Sequence, residues 1–301
     1  MNVATHVLLL TGYAATVATV APHVLSRPAL SPRSPGLALA LWHASIGSAG
    51  LALGLAAVKL VSAARYLPFV RSEHHDHGIP VVETLAGLAI GLVLIAFAAT
   101  RMTKTGLRIL RGHRKTRDRQ MELLAVLGRH DPELDATVVP ATVAAAYCIA
   151  GTRRIVVTDH AIKLLQPRQL AAVLAHERAH LAGRHHLLVG WATLLAGAFP
   201  AVKVLDQLRE ETRNLVELLA DDRARRLVDG SSLAGAIALL GRASPSGTLG
   251  ATGGQALARV ERLLGPPPER SSPALIALGA ATSILIGLPL LLASFPSGVL
   301  F

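Results

Sequence analysis

The chain has 301 residues, of which 51% are hydrophobic and 16% charged, and its mean hydropathy is +0.47. An ordinary soluble domain carries about 25% charged residues, so this composition excludes a disordered chain and argues against a wholly soluble one. The net charge is nevertheless +11, and an apolar chain with cationic loops reads as a membrane protein before a nucleic-acid binder. Aromatic residues at 3% argue against base-stacking platforms, and one cysteine, Cys148, excludes an internal disulfide or a thiolate metal cluster.

In chain order, four stretches are long enough to cross a bilayer, which takes about 20 apolar residues. They are 3–21, closed by Pro22, then 36–58, 81–100 and 273–293. The first is expected to be a span rather than a cleaved leader, because no Lys or Arg precedes Arg27. His43 in the second stretch and Glu83 in the third are polar residues at membrane depth. The loop 72–80 carries His74, His75, Asp76 and His77, a short tract that reads as a solvated turn before a metal site.

After the third stretch the composition changes, which gives three expected units: spans at 1–100, a compact domain at 101–268, and a last span with a short tail at 269–301. Eight Lys or Arg residues lie between Arg101 and Arg119 against Asp118 alone, a net of +7. Basic residues beside a span stay cytoplasmic, so the domain is expected inside and both termini outside; Arg27 and Arg33 agree, Arg65 and Arg71 do not. The same run reads as an anchor for anionic lipid, not as a nucleic-acid site. Segment 243–254 reads as a flexible loop and Gly265-Pro266-Pro267-Pro268 as a stiff joint.

The chemistry lies in His176-Glu177-Arg178-Ala179-His180. Pro167 is suited to the first position of a helix, and Leu170, Val173, Leu174 and Leu181 recur at helical spacing. Histidines four apart share one face and can reach one ion, while Glu177, about 100° away, is placed to act on a water as general base. A catalytic zinc needs a third ligand and one open position. His186 is one candidate, since 176–186 reads HERAHLAGRHH, but the methionine turn that pattern requires downstream is missing: all three methionines lie upstream. Glu217 is the other, on an amphipathic helix marked by Leu208, Leu215, Leu218, Leu219 and Leu227, with Asp221 four residues on to receive a hydrogen bond from a ligand histidine. Upstream, 142–151 and 154–158 read as two strands, either a purely structural hairpin or an edge against which an extended peptide pairs. His185, His186 and Tyr147 are candidate oxyanion donors, and Cys148 reads as a small core residue.

The run from Thr142 through Tyr147-Cys148-Ile149-Ala150-Gly151, then Ile155 to His186, then Glu217-Leu218-Leu219-Ala220-Asp221, resembles the BlaR/MecR-type membrane zinc peptidases over nearly the whole chain. The resemblance implies a mainly α membrane protein with four transmembrane helices and a cytoplasmic α+β, zincin-like (gluzincin) peptidase domain with a small sheet. It implies one Zn2+ per chain held by His176, His180 and Glu217, Glu177 as the catalytic glutamate, and Asp221 as the orienting acid. It further implies a cytoplasmic protein substrate, a BlaI/MecI-type repressor, at the cell membrane. HtpX-like peptidases share the same motifs but place the domain after two spans, which the three leading stretches disfavour.

Overall fold

A computed structural model describes residues 3–26, 34–62, 81–243, 249–266 and 272–294. The loop histidines His74, His75 and His77, the arginines Arg27, Arg33, Arg65 and Arg71, and the side chain of Glu83 lie outside the described residues. The chain is mostly helical, with one small mixed sheet. In order come α1 (Val3–Leu25), α2 (Pro35–Ser62), α3 (Val81–Leu127), β1 (Arg129–Asp131), β2 (Ala136–Val139), β3 (Ala146–Cys148), β4 (Ile155–Thr158), α4 (Asp159–Leu164), α5 (Pro167–Ala182), α6 (His185–Ala198), α7 (Lys203–Ala224), α8 (Gly230–Ala243), α9 (Leu249–Leu264) and α10 (Ser272–Ser294).

Among the described residues three helices are long and apolar enough to cross a membrane: α1, α2 and α3 from Leu85 onward. On α1, Leu10 and Ala14 pack against Ala49, Ala52 and Ala56 of α2, and such small side chains let helices approach closely. The Tyr13 hydroxyl meets Ser48 of α2 and donates to the Leu285 carbonyl of α10 at 3.1 Å, joining the three helices. Helix α1 does not stop at Pro22 as expected. Proline forfeits one backbone bond, but the buried ring sits in the last turn, and Ser26 N–H still reaches the Pro22 carbonyl at 3.0 Å.

The third stretch also runs past its expected end. Helix α3 is 47 residues long, so the boundary placed at 101 falls inside it. Arg, Lys, Gln and Leu after Thr100 are strong helix formers, and no proline intervenes. Gly128 ends the helix: a Cβ there would collide with the Leu124 carbonyl and with Thr137 of β2.

The sheet order is β1-β2-β4-β3, with β2 and β4 parallel and the outer pairs antiparallel. The strand expected over 142–151 is only Ala146–Cys148, because β4 offers just Ile155–Val157 as partners, and the Ala145 N–H turns to the Thr158 hydroxyl instead. Strands β1 and β2 were not anticipated. One face of the sheet, with Ala136, Val138, Ile155 and Val157, packs on Leu170, Val173 and Leu174 of α5. The loop expected over 243–254 is cut short by α9, which starts at Leu249; extending a helix already fixed downstream by Val260 and Leu263 costs less than starting one.

One core joins the apolar helices α1 and α2 to α6 and α7. Leu25 of α1 and Ala38, Leu39, Trp42 and Ile46 of α2 pack with Ala192 and Ala196 of α6 and Leu205, Leu208, Leu215 and Val216 of α7. Trp42 is fully buried there. Trp42→Ala is expected to remove about 3–5 kcal/mol of stability, read as a lowered thermal midpoint in detergent; an unchanged midpoint would contradict a shared core.

Candidate metal centre

Helix α5 starts where the sequence allows it. Pro167 occupies the first turn, and the Gln169 side-chain oxygen accepts from the Gln166 N–H at 2.9 Å. Its apolar stripe faces the sheet, which leaves His176 and His180 together on the side toward α7. Helix α7 buries Leu208, Leu215, Val216 and Ala220, and this register turns Glu217 and Asp221 toward those histidines. Leu227, expected as part of the same helix, lies beyond its end and is exposed.

His176, His180 and Glu217 converge, with ligand atoms all within 4.8 Å of one another. The two Nε2 atoms are 3.0 Å apart, and the Glu217 carboxylate oxygens lie 3.4 Å from His176 Nε2 and 3.3 Å from His180 Nε2. Ligands about 2.0–2.1 Å from a tetrahedral ion are separated by about 3.3 Å, so this donor set fits zinc. His186, the rival third ligand, is not part of the cluster. Glu217 keeps 38% of its side chain exposed, so the cluster opens to solvent on one side.

Behind the cluster, His176 Nδ1 lies 3.0 Å from Asp221 Oδ1, and Asp221 is fully buried. Arg259 of α9 grips the same carboxylate with two bonds of 2.8 Å and reaches Glu217 at 2.9 Å. Burial alone would raise both acids; the Arg259 fork and His176 outweigh it at Asp221, and His176, His180 and Arg259 outweigh it at Glu217, so both are held below the usual carboxylate range. Burial likewise works against a charged His176, but Asp221 and Glu217 override it and lift the imidazole to about 9. The pocket is therefore built to hold positive charge.

Arg259 was not anticipated. The available signal was its position four residues before the buried Leu263 on an amphipathic helix, where a charge on the apolar side requires a buried partner. His185 also plays a different part from the expected ones. Its Nδ1 lies 2.9 Å from Nδ1 of His180, on the far side from the cluster, and desolvation together with the His180 charge pushes it down to about 4, as a neutral acceptor. The arrangement depends on Gly183, where a Cβ would strike the His185 ring; Arg184 then takes the left-handed conformation (φ 49°) that starts α6.

Glu177 is turned toward β3, where it lies beside Cys148. Burial raises Glu177 above its ordinary range against the lowering pull of His176 and His180. Burial and the nearby Glu177 charge push the Cys148 thiol up to about 12, so it stays protonated. Ala146 and Cys148 face α5, and by strand alternation Tyr147 points to the opposite face and is partly exposed. β3 is one of the two edge strands of the sheet and packs beside α5.

Residues 113–240 match the model of Peptidase family M48, a segment that begins within α3, ends within α8 and contains His176, Glu177, His180 and Glu217. The match supports the M48 metallopeptidase family and indicates a metallopeptidase; it covers less than half of the chain and does not reach Arg259. No curated protein and no solved structure matches the chain.

Replacing Arg259 with Met removes the guanidinium fork from the buried Asp221 and is expected to weaken zinc affinity about 10–100-fold. Chelator competition measures this, and wild-type affinity in Arg259→Met would show that the fork is not needed. Gly183→Ala is expected to displace the His185 ring and lower zinc affinity by the same assay.

Proposed function

We propose that this chain is an integral-membrane, zinc-dependent endopeptidase, with the ion held by His176, His180 and Glu217. The convergence of two imidazole nitrogens and one carboxylate at tetrahedral spacing carries this reading, and the M48 match supports it. Bound there, zinc supplies Lewis acidity toward the scissile carbonyl and makes water nucleophilic near neutral pH.

The chain's own groups do the rest. Glu177 takes the proton of the attacking water and returns it to the leaving amine, and its raised affinity for a proton suits both acts. Asp221 fixes the ring of His176, and His185 fixes the ring of His180. The free edge of β3 offers backbone groups to an extended substrate. A structural ion with a closed fourth position is the weaker reading, because neither Cys148 nor His186 belongs to the cluster.

In this reading α1, α2, α3 and α10 span the cell membrane, with the unit 101–268 on the cytoplasmic side because of the basic run after Thr100. The use is regulatory cleavage of a cytoplasmic protein, of which a BlaI/MecI-type repressor is the kind implied by the sequence resemblance. Glu177→Gln is expected to keep its zinc and lose about 10²–10⁴-fold in peptide hydrolysis. Comparing the proteome of cells carrying wild type with those carrying Glu177→Gln should show one or a few accumulated uncut proteins. Hydrolysis at the wild-type rate in Glu177→Gln would overturn the mechanism, and broad accumulation of membrane proteins would overturn the regulatory role.

A further inference from the structure

The course of the basic half of α3 can be followed through its contacts. At its end Gly128 meets Thr137 of β2, and Leu124 packs with Val156 of β4 and with Ile149, just past β3. Two turns earlier, the Arg117 guanidinium lies 3.9 Å from where a Cβ on Gly151 would stand, in the turn from β3 to β4. The helix thus crosses the sheet from β2 toward β3. It does so on the face opposite α5, because Val139 and Val156 alternate with the Val138, Ile155 and Val157 that pack on α5. Earlier still, Thr105 and Gly106 meet Gly197 and Leu194 of α6. Residues 107–116 therefore bridge from the end of β3 to α6, the helix that begins at His185.

This places cations on one side of the β3 edge. The Ala145 carbonyl and the Ile149 N–H bond to β4, so by alternation the backbone groups of Ala146 and Cys148 point outward. A segment paired there sends every second side chain toward α5 and the metal cluster, and the others toward α3. The α3 side carries Arg114 and Arg117, three residues apart and on the side of the helix that turns Met121 and Leu124 to the sheet. Arg154 is exposed on the same face of the sheet, since its neighbour Ile155 faces α5. Among the described residues the acid paired with this group is Asp118, itself exposed, 3.6 Å from Arg117. Anionic lipid does not account for these charges. If α3 leaves the bilayer at Arg101, Arg114 and Arg117 stand about 20 and 24 Å further along the helix axis, well beyond a screening length of about 8 Å.

We propose that Arg114, Arg117 and Arg154 select the substrate: an extended segment paired on β3 that carries Asp or Glu at alternate positions, on the side facing α3. This rests on the endopeptidase reading and names the class of substrate for it. Charge complementarity carries the proposal. Guanidinium forks suit carboxylates, and the two-residue repeat of a paired strand presents successive acids to the same cationic side. The β3 backbone supplies affinity without regard to sequence, and the arginines supply the preference.

The zinc-loaded full chain, in nanodiscs of phosphatidylcholine, is given a random peptide library, and the cut products are read by mass spectrometry. Asp and Glu are expected to be enriched at alternate positions beside the cut. Two quenched fluorogenic peptides then differ only at those positions, one with Glu and the other with Lys. Wild type is expected to favour the Glu peptide in kcat/KM by about tenfold, a preference that shrinks as salt is raised. The double variant Arg114→Glu/Arg117→Glu is expected to invert it, a gain on the Lys peptide that a misfolded protein would not give. Equal rates on the two peptides in wild type, or a preference untouched by the charge reversal, overturn the acidic-segment reading. A difference between wild type and the double variant that emerges only when phosphatidylserine is added to the discs assigns the arginines to lipid and equally overturns it. Absence of any cut library peptide overturns the peptidase reading on which the proposal rests.

Discussion

The contact between His176 and Asp221 is the one on which the rest of the site depends. It crosses from α5 to α7 at full burial, and an isolated carboxylate in such a place would be costly. The Arg259 fork makes it tolerable, and Arg259 can reach only because α9 packs beneath α8. Four helices are thus committed to the orientation of one imidazole. The same register that buries Asp221 puts Glu217 one turn away, facing the space between the two histidines.

That arrangement is continuous with the apolar helices. Leu215 and Val216, adjacent to Glu217, are core residues shared with Ala38, Leu39 and Trp42 of α2, and the Leu219 side chain approaches Gly36 at the start of α2. The metal-binding half is therefore not a tethered soluble domain. Glu217 stands on a helix whose opposite face is packed against α2, and a shift of α2 along its axis would be felt at its carboxylate. The α6 helix makes the complementary link, from His185 behind the second histidine to the Arg101 level of α3.

Much of this was legible in the sequence, for local reasons. The helical pairing of His176 with His180, the first turn at Pro167 and the placement of Glu217 four before Asp221 all follow from 3.6-residue periodicity and helix-end chemistry. What escaped the reading was decided by tertiary contacts. The length of α3 depended on Leu124 finding Ile149 and Val156 in the core, and the shortness of β3 on the few partners β4 offers. Arg259 was hidden because a glycine-rich approach read as loop, and because nothing local reveals which acid an arginine will meet. His185 read as an oxyanion donor, yet the left-handed Arg184 turns its ring behind His180.

X-ray absorption at the zinc edge of the purified, metal-loaded protein tests the central claim most directly. Two imidazole nitrogens and oxygen ligands at about 2.0–2.2 Å, with no sulfur, are expected. A sulfur shell at about 2.3 Å, or a third imidazole in place of the carboxylate, would contradict it.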